Sequence, residues 1–344
     1  MKLESVQNDE KEIIIVTNKL GIFMNSNTAI QACVDAGAVE ALTDLLKKES
    51  VKKNDEAALY VTRALWKISG TTDGTQSCID FKTPLSLIAL LYEKAILNNI
   101  DVVENVVKAI GNISGSEIGV QACIDVGATL ILTDLACDTI VMDNLKITKF
   151  VAEALANIAF ENDTGRQACI DAKTPYALSK LLHTKAVKEN DEAANAIVIA
   201  IMNIADRDNG IQACINAGVP LALTKLAYEK TVKENAYTVR SISEAFRIIS
   251  FSKTGLQACV KAGAPRALTF FFREEVGPEN SIASNEEFGT LQSIASTLRI
   301  FALSDIGRRA CLDADAPSAL KLFLKGCAGV AEAFKAITGT DINL

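Results

Sequence analysis

One seven-residue pattern recurs along this chain: QACVDAG at 31–37, QSCIDFK at 76–82, QACIDVG at 121–127, QACIDAK at 167–173, QACINAG at 212–218, QACVKAG at 257–263 and RACLDAD at 309–315. Successive copies begin 45, 45, 46, 45, 45 and 52 residues apart. A period of about 40 to 47 residues is typical of stacked helical repeats. The sequence therefore predicts one elongated array instead of several globular domains.

Each repeat is predicted to contain three helices. The first carries the cysteine and ends near a glycine in four copies, where a left-handed residue has no steric cost: Gly37, Gly127, Gly218 and Gly263. Proline begins the second helix in five copies: Pro84, Pro175, Pro220, Pro265 and Pro317. A leucine anchors the second helix in all seven: Leu42, Leu87, Leu132, Leu178, Leu223, Leu268 and Leu320. The third helix is the longest, as in 190–205, where Asn190 or Asp191 is the expected N-cap.

Two further patterns separate these helices. A glycine stands two residues before the glutamine position in six copies, and we expect it to break the chain between repeats: Gly74, Gly119, Gly165, Gly210, Gly255 and Gly307. The loop between the second and third helices carries an apolar anchor: Val51, Ile96, Ile140, Val187 and Val232. In the sixth repeat this loop is longer, at 273–289, and is a candidate for partner contact.

The QAC pattern, the proline and leucine after it, and third helices ending like ALANIA at 154–159 resemble the armadillo family of importin-alpha and beta-catenin. The resemblance covers about residues 12–338. It implies an all-α, right-handed solenoid of about seven three-helix repeats, whose third helices line a concave groove. We expect a single domain over 1–344, with an N-terminal cap at 1–26, six repeats at 27–308 and a truncated capping repeat at 309–344. Leu20 and Phe23 are expected to cover the first repeat.

Composition excludes several classes of function. The chain has 344 residues and a net charge of -7, which argues against nucleic acid as a partner and favours a basic protein segment. The N-terminus lacks the apolar core of a signal peptide, and no apolar run reaches the roughly 18 residues of a membrane span. Many cysteines without a pairing pattern indicate a reducing compartment, so we expect the protein in the cytosol or the nucleus.

No catalytic, metal or cofactor motif is found. Seven of the nine cysteines occupy one repeat position and are predicted to be small buried hydrophobes, while Cys137 and Cys327 stand alone. The single histidine, His183, has no neighbouring nucleophile and is predicted to be a surface or cap residue. We therefore expect no cofactor and no enzyme activity.

An asparagine recurs near the end of three consecutive third helices, at Asn112, Asn157 and Asn203. Each amide offers donors and an acceptor that could pair with an extended peptide, as the armadillo resemblance implies, or with a neighbouring helix carbonyl. The importin-type tryptophans four residues earlier are replaced by Lys108, Glu153 and Ile199, which argues against ordinary nuclear-signal recognition. Other candidate groove residues have mixed charge: Arg63, Lys67, Glu104, Lys108, Lys149, Phe150, Glu153, Asn195, Arg240 and Glu244.

The sequence thus predicts a scaffold or adaptor, acting as a monomer or weak homo-oligomer, that binds an extended peptide or partner domain in the groove. The alternative is a regulator or effector of a small GTPase, because armadillo arrays also resemble the GTPase-binding part of formins and a chaperone of prenylated GTPases.

Overall fold

The computed structural model describes residues 10–276, 285–322 and 328–340, and within these ranges all regular structure is helical. The chain divides into an N-terminal half, Met1–Ala172, and a C-terminal half, Lys173–Leu344. The predicted all-α class is confirmed. Of the longer loop predicted at 273–289, residues 277–284 lie outside the described residues, as does Cys327.

The N-terminal half contains the following helices in chain order: α1 (Glu10–Phe23), α2 (Asn27–Asp35), α3 (Ala38–Leu46), α4 (Glu49–Lys52), α5 (Asp55–Ser69), α6 (Thr72–Asp80), α7 (Thr83–Leu90), α8 (Lys94–Leu97), α9 (Ile100–Ile113), α10 (Glu117–Asp125), α11 (Ala128–Cys137), α12 (Thr139–Met142), α13 (Leu145–Ala159) and α14 (Asp163–Asp171).

The C-terminal half continues the same order: α15 (Thr174–Leu181), α16 (Lys185–Lys188), α17 (Asp191–Ile204), α18 (Asp208–Asn216), α19 (Val219–Leu226), α20 (Lys230–Lys233), α21 (Ala236–Ile249), α22 (Lys253–Ala262), α23 (Ala264–Val276), α24 (Asn285–Ala302), α25 (Asp305–Asp313), α26 (Ala316–Lys321) and α27 (Ala328–Thr338).

Within each half, helices of the same kind stack on one another. First helices contact first helices, as α2, α6, α10 and α14 do, and third helices contact third helices, as α5, α9 and α13 do. The seven predicted leucine anchors are fully buried, and the seven repeated cysteines are at most 5% exposed. Because apolar burial supplies most of the driving force for folding, this leucine and cysteine core holds the repeats together.

The sequence missed a helical turn in five of the loops between second and third helices. Five such loops contain a four-residue helix, at α4, α8, α12, α16 and α20. Val51, Ile96, Val187 and Val232 are buried there, as predicted. In the loop where Ile140 was predicted, Val141 is buried, and it follows its glutamine by the same twenty residues as the other four anchors; the Ile140 side chain lies outside the described residues.

The prediction for the glycine before the glutamine is wrong. Gly165 lies inside the first turn of α14 and does not break the chain. A Cβ at this position would lie 1.7 Å from the carbonyl oxygen of Ile158, at the end of the preceding third helix. Glycine is therefore required because two helix backbones approach closely, and the other five glycines have the same environment.

The structure corrects the prediction for the N-terminal cap and adds a contact at the C-terminal capping repeat. Phe23 is 56% exposed and Leu20 is only half-buried, so they do not form the predicted cover. Helix α1 instead packs on α5 and buries Ile13 and Val16, because these residues lie on its inner face. At the other end α27 packs on α24, with Val330 buried.

Candidate functional site

The candidate site is the outward side of the stacked third helices, here called the third-helix face. In the N-terminal half it consists of residues that leave the buried stripe of α5, α9 and α13: Arg63, Trp66, Lys67, Glu104, Lys108, Asn112, Lys149, Phe150, Glu153 and Asn157. All of them are half-buried or exposed. The C-terminal half carries Asn195 and Asn203 on α17, with Arg240 and Glu244 on α21.

In the N-terminal half, one side chain in each of α5, α9 and α13 ties that helix to the helix stacked before it. Lys67 Nζ donates to Gly21 O (2.6 Å), Asn112 Nδ2 to Trp66 O (3.3 Å), and Asn157 Nδ2 to Gly111 O (3.0 Å). Each acceptor is a carbonyl in the last turn of a helix, where no further backbone N–H follows to pair with it. Trp66 O and Gly111 O also accept from Ser69 Oγ and Ser114 Oγ. These bonds therefore satisfy helix ends, which is the second of the two roles considered for the asparagines.

The asparagines nevertheless keep hydrogen-bonding capacity. Asn112 also donates to Ser69 Oγ at 3.2 Å, which uses both of its N–H groups and leaves Oδ1 as an acceptor. Asn157 is exposed, and among the described residues its second N–H and its Oδ1 have no hydrogen-bond partner. A structural bond to a helix carbonyl and a bond to a peptide are thus compatible at the same side chain.

Lys108 is enclosed by the chain itself. Its Nζ lies 4.3 Å from the ring centroid of Trp66 and 4.3 Å from that of Phe150, and it forms an ion pair with Glu104. Only 16% of the Lys108 side chain is exposed. Both aromatic rings attract the cation, so Lys108 joins three consecutive third helices and is not a free charge for a ligand. The sequence pattern identified these residues but not their mutual contact.

Other charges on the third-helix face are also paired. Lys149 and Glu153 form an ion pair of 4.0 Å on α13, and the Arg63 guanidinium lies 5.5 Å from the centre of the Tyr60 ring. The third-helix face of the N-terminal half thus carries charges of both signs.

In the C-terminal half, Glu244 accepts a hydrogen bond from Ser293 Oγ at 2.9 Å and pairs with Arg247 at 2.5 Å. Arg240 is exposed. The Oδ1 atom of Asn195 is buried and has no hydrogen-bond partner within the described ranges.

Sequence reasoning missed two cavities, each between the end of one third helix and the first helices beside it. The polar pocket, in the N-terminal half, measures about 340 Å³ and is lined by Glu117, Asn157, Phe160, Glu161 and others. The apolar pocket, in the C-terminal half, measures about 550 Å³ and is lined by Phe251, Leu256, Ile300, Leu303 and Ile306 among others. In the sequence, the one indication of these cavities is that residues at equivalent positions of different repeats differ in polarity.

The described residues show little reactive chemistry. Burial raises the pKa of Cys78, Cys123, Cys214, Cys259 and Cys311 to about 12, so these thiols are protonated at neutral pH. His183 is exposed, and its pKa is lowered by partial burial and by the nearby charges of Lys225 and Lys188. In the part of the chain that the structure describes, no three His, Cys, Asp or Glu side chains are placed to hold a metal ion.

Among the described helices, none alone is long and apolar enough to cross a membrane; one bent pair, Glu117–Asp125 with Ala128–Cys137 at 74°, passes by length and composition.

The sequence matches no protein-family model and no curated protein. Solved structures do share the fold. A crystallised engineered protein aligns with a TM-score of 0.68 at 22% identity, covering 98% of this chain and 89% of its own. A designed armadillo repeat protein in complex with the peptide (KR)4 aligns with a TM-score of 0.61 at 25% identity, covering 72% and 97%. Another designed armadillo repeat protein aligns with a TM-score of 0.58 at 24% identity, covering 74% and 99%. The chain therefore has an armadillo-like all-α repeat fold, as the sequence predicts.

Proposed function

We propose that this protein is a non-enzymatic scaffold that binds an extended segment of another protein along its third-helix face. The observation that carries the proposal is the pair Asn112 and Asn157, which stand at the same position of neighbouring helices and keep acceptor oxygens available. The designed armadillo repeat protein in complex with the peptide (KR)4 supports it, since a protein of similar fold binds a peptide. We expect the scaffold to act as a monomer or weak homo-oligomer in the cytosol or nucleus.

Peptide geometry is compatible with this spacing. Packed helices lie roughly 8 to 10 Å apart. Two to three residues of an extended chain span that distance at about 3.3 Å each. Successive asparagines would then meet successive peptide units, with Oδ1 accepting from a peptide N–H and the spare N–H of Asn157 donating to a peptide carbonyl.

The net charge of the N-terminal half favours a partner segment that is basic. Residues 1–172 contain 15 Lys and Arg against 24 Asp and Glu, a net charge of -9, whereas residues 173–344 contain 20 against 18, a net charge of +2. A basic partner would therefore associate faster with the N-terminal half, and more so at low salt.

The test compares wild type with a variant carrying Asn112→Ala, Asn157→Ala and Asn203→Ala. Both proteins are used to capture partners from cell extract, and bound proteins are quantified by mass spectrometry. We expect the main partners of wild type to be lost or reduced at least several-fold. An unchanged partner list from a folded variant would contradict the proposal. Retention of a small GTPase in one nucleotide state only would instead support the GTPase alternative.

A further inference from the structure

The apolar pocket presents large apolar side chains to solvent. Phe251 is 65% exposed, Leu303 is 75% exposed and Ile306 is 54% exposed, and all three line the 550 Å³ cavity. Leu256 is buried beneath them, and Ile300 completes the wall. A soluble protein rarely clusters such residues at a cavity unless something covers them.

The same place in the N-terminal half has the opposite chemistry. Phe251 takes the place of Gly115, and Lys253 takes the place of Glu117, since each stands at the same distance from its glutamine. Leu303 likewise stands where Glu161 stands, six residues before the repeated motif. The backbone of the repeat therefore does not require these apolar side chains, because the polar pocket is built without them.

The charge beside the apolar pocket is also reversed. Five first helices have an acidic residue in their first turn, which suits the positive end of the helix dipole: Asp73, Glu117, Asp163, Asp208 and Asp305. Helices α2 and α22 have none, and α22 begins instead with Lys253. A lysine there adds to the positive end of the dipole and is locally unfavourable.

The positive charge of Lys253 is not neutralised by neighbours. Lys253 is exposed and forms no salt bridge within the described ranges, whereas Asp305 pairs with Arg308 and Glu244 pairs with Arg247. The lining thus combines an apolar cavity with the cation of Lys253, which has no ion-pair partner among the described residues, and the carboxylate of Asp305, which is paired with Arg308.

We propose that the apolar pocket binds a large apolar side chain of a partner segment that carries an acidic residue next to it. The apolar side chain fills the cavity between Phe251, Leu303 and Ile306, and the carboxylate pairs with Lys253. The proposal rests on the proposed function, because Ile300 lines the pocket and stands in its own repeat at the position that Asn112 and Asn157 occupy in theirs.

The experiment uses the full chain labelled at isoleucine and leucine methyl groups. It is titrated with acetyl-Ser-Asp-Leu-Asp-Ser-amide and with the matched peptide in which lysine replaces both aspartates. We expect saturable shifts of the Ile300 and Ile306 methyl signals, with the aspartate peptide binding about two- to five-fold more tightly, as one exposed ion pair allows. No saturable shift at either methyl, or no preference between the peptides, would overturn the proposal.

Three variants test whether the peptides bind at the apolar pocket. Lys253→Glu should reverse the preference in favour of the lysine peptide, and Phe251→Gly, which copies the polar pocket, should weaken binding of both peptides several-fold. Glu117→Lys is the matched control in the polar pocket and should change neither titration. Binding unaffected by Phe251→Gly would place the peptides elsewhere and overturn the proposal.

One further variant distinguishes a failure of the pocket proposal from a failure of the proposed function. The Asn112→Ala, Asn157→Ala protein should bind the aspartate peptide as wild type does, while its capture of partners from extract falls. Normal peptide binding with unchanged capture would contradict the asparagine role alone.

Discussion

Gly165 illustrates how strongly one residue is constrained by backbone contact. A side chain there would meet the Ile158 carbonyl oxygen at 1.7 Å, and because backbone is the obstacle, the two helices would have to separate. Gly111 lies on the third helix α9, where a Cβ would lie 3.7 Å from the Ala154 Cβ, an ordinary contact. Gly111 therefore tolerates an added Cβ and Gly165 does not, although both lie in the N-terminal half.

We predict that Gly165→Ala lowers the free energy of unfolding by about 3 kcal/mol, the cost of overpacking. The matched Gly111→Ala should raise it by about 0.5 to 1 kcal/mol, because alanine favours a helix interior more than glycine does. Urea unfolding followed by circular dichroism measures both. A Gly165→Ala protein as stable as wild type would contradict the close approach.

The cysteines give a second prediction at this scale. Because burial raises the pKa of Cys123 and Cys259 to about 12, their thiols stay protonated and shielded at pH 8. In a Cys327→Ser background, we expect a thiol-reactive disulfide reagent at pH 8 to modify Cys137 first and the repeated cysteines only on unfolding. Fast modification of several cysteines in the folded protein would contradict their burial.

The same pKa shifts make stability depend on pH. A thiol whose pKa is raised by folding stabilises the fold fully below its unfolded pKa of about 9 and loses that contribution as pH rises through the folded pKa. The cysteine contribution should therefore decline between about pH 9 and 12.

At the scale of the helix, capping follows the repeat closely. Five third helices, α5, α9, α13, α17 and α21, begin after an asparagine whose side chain accepts from the backbone, as Asn190 Oδ1 does from Ala193 N at 2.8 Å. First helices begin after serine, threonine or asparagine with the same bond, as Ser116 does with Gly119 N at 3.2 Å. Helix α18 departs from this rule, since it begins after Arg207, which makes no side-chain cap bond.

We predict that Arg207→Ser raises the free energy of unfolding by about 0.5 kcal/mol, because serine offers a cap acceptor to the Gly210 N–H, which now donates to Asn209 Oδ1 at 2.9 Å. Arg207 already has the extended backbone of the other caps, with φ -133° and ψ 161°, so no rearrangement is needed. Asn190→Ala should lower the free energy of unfolding by about 1 kcal/mol, because it removes a cap acceptor. Thermal melts of both variants check the prediction, and a destabilised Arg207→Ser protein would contradict it.

Elements of this fold differ in how far the sequence predicts them. Helix order, leucine anchors and cysteine burial follow from a 45-residue period, because buried positions recur in every copy. The contact of Lys108 with Trp66 and Phe150 could not be predicted, since it joins three helices whose relative rotation depends on packing. The role of Gly165 could not be predicted for the same reason, because nothing in the sequence except the glycine itself indicates that two helix backbones approach closely.

At the scale of the molecule, equal backbone positions carry different chemistry in the two halves. The N-terminal half is acidic overall, and its pocket holds Glu117 and Glu161, whereas the pocket of the C-terminal half is apolar beside Lys253. A repeat fold allows this because core positions stabilise the array while surface positions vary freely. Partner choice is therefore expected to depend on these surface residues.

Peptide binding at the third-helix face is tested most directly by a double variant, Asn112→Lys with Asn157→Lys. Lys67 stands at the equivalent position and donates to the helix carbonyl at 2.6 Å, so lysine keeps the structural bond but removes the acceptor oxygen. The quantity to measure is the amount of each partner captured from extract, together with the melting temperature. We predict an unchanged melting temperature and at least several-fold loss of the main partners; full capture by an equally stable variant would contradict binding through the asparagines.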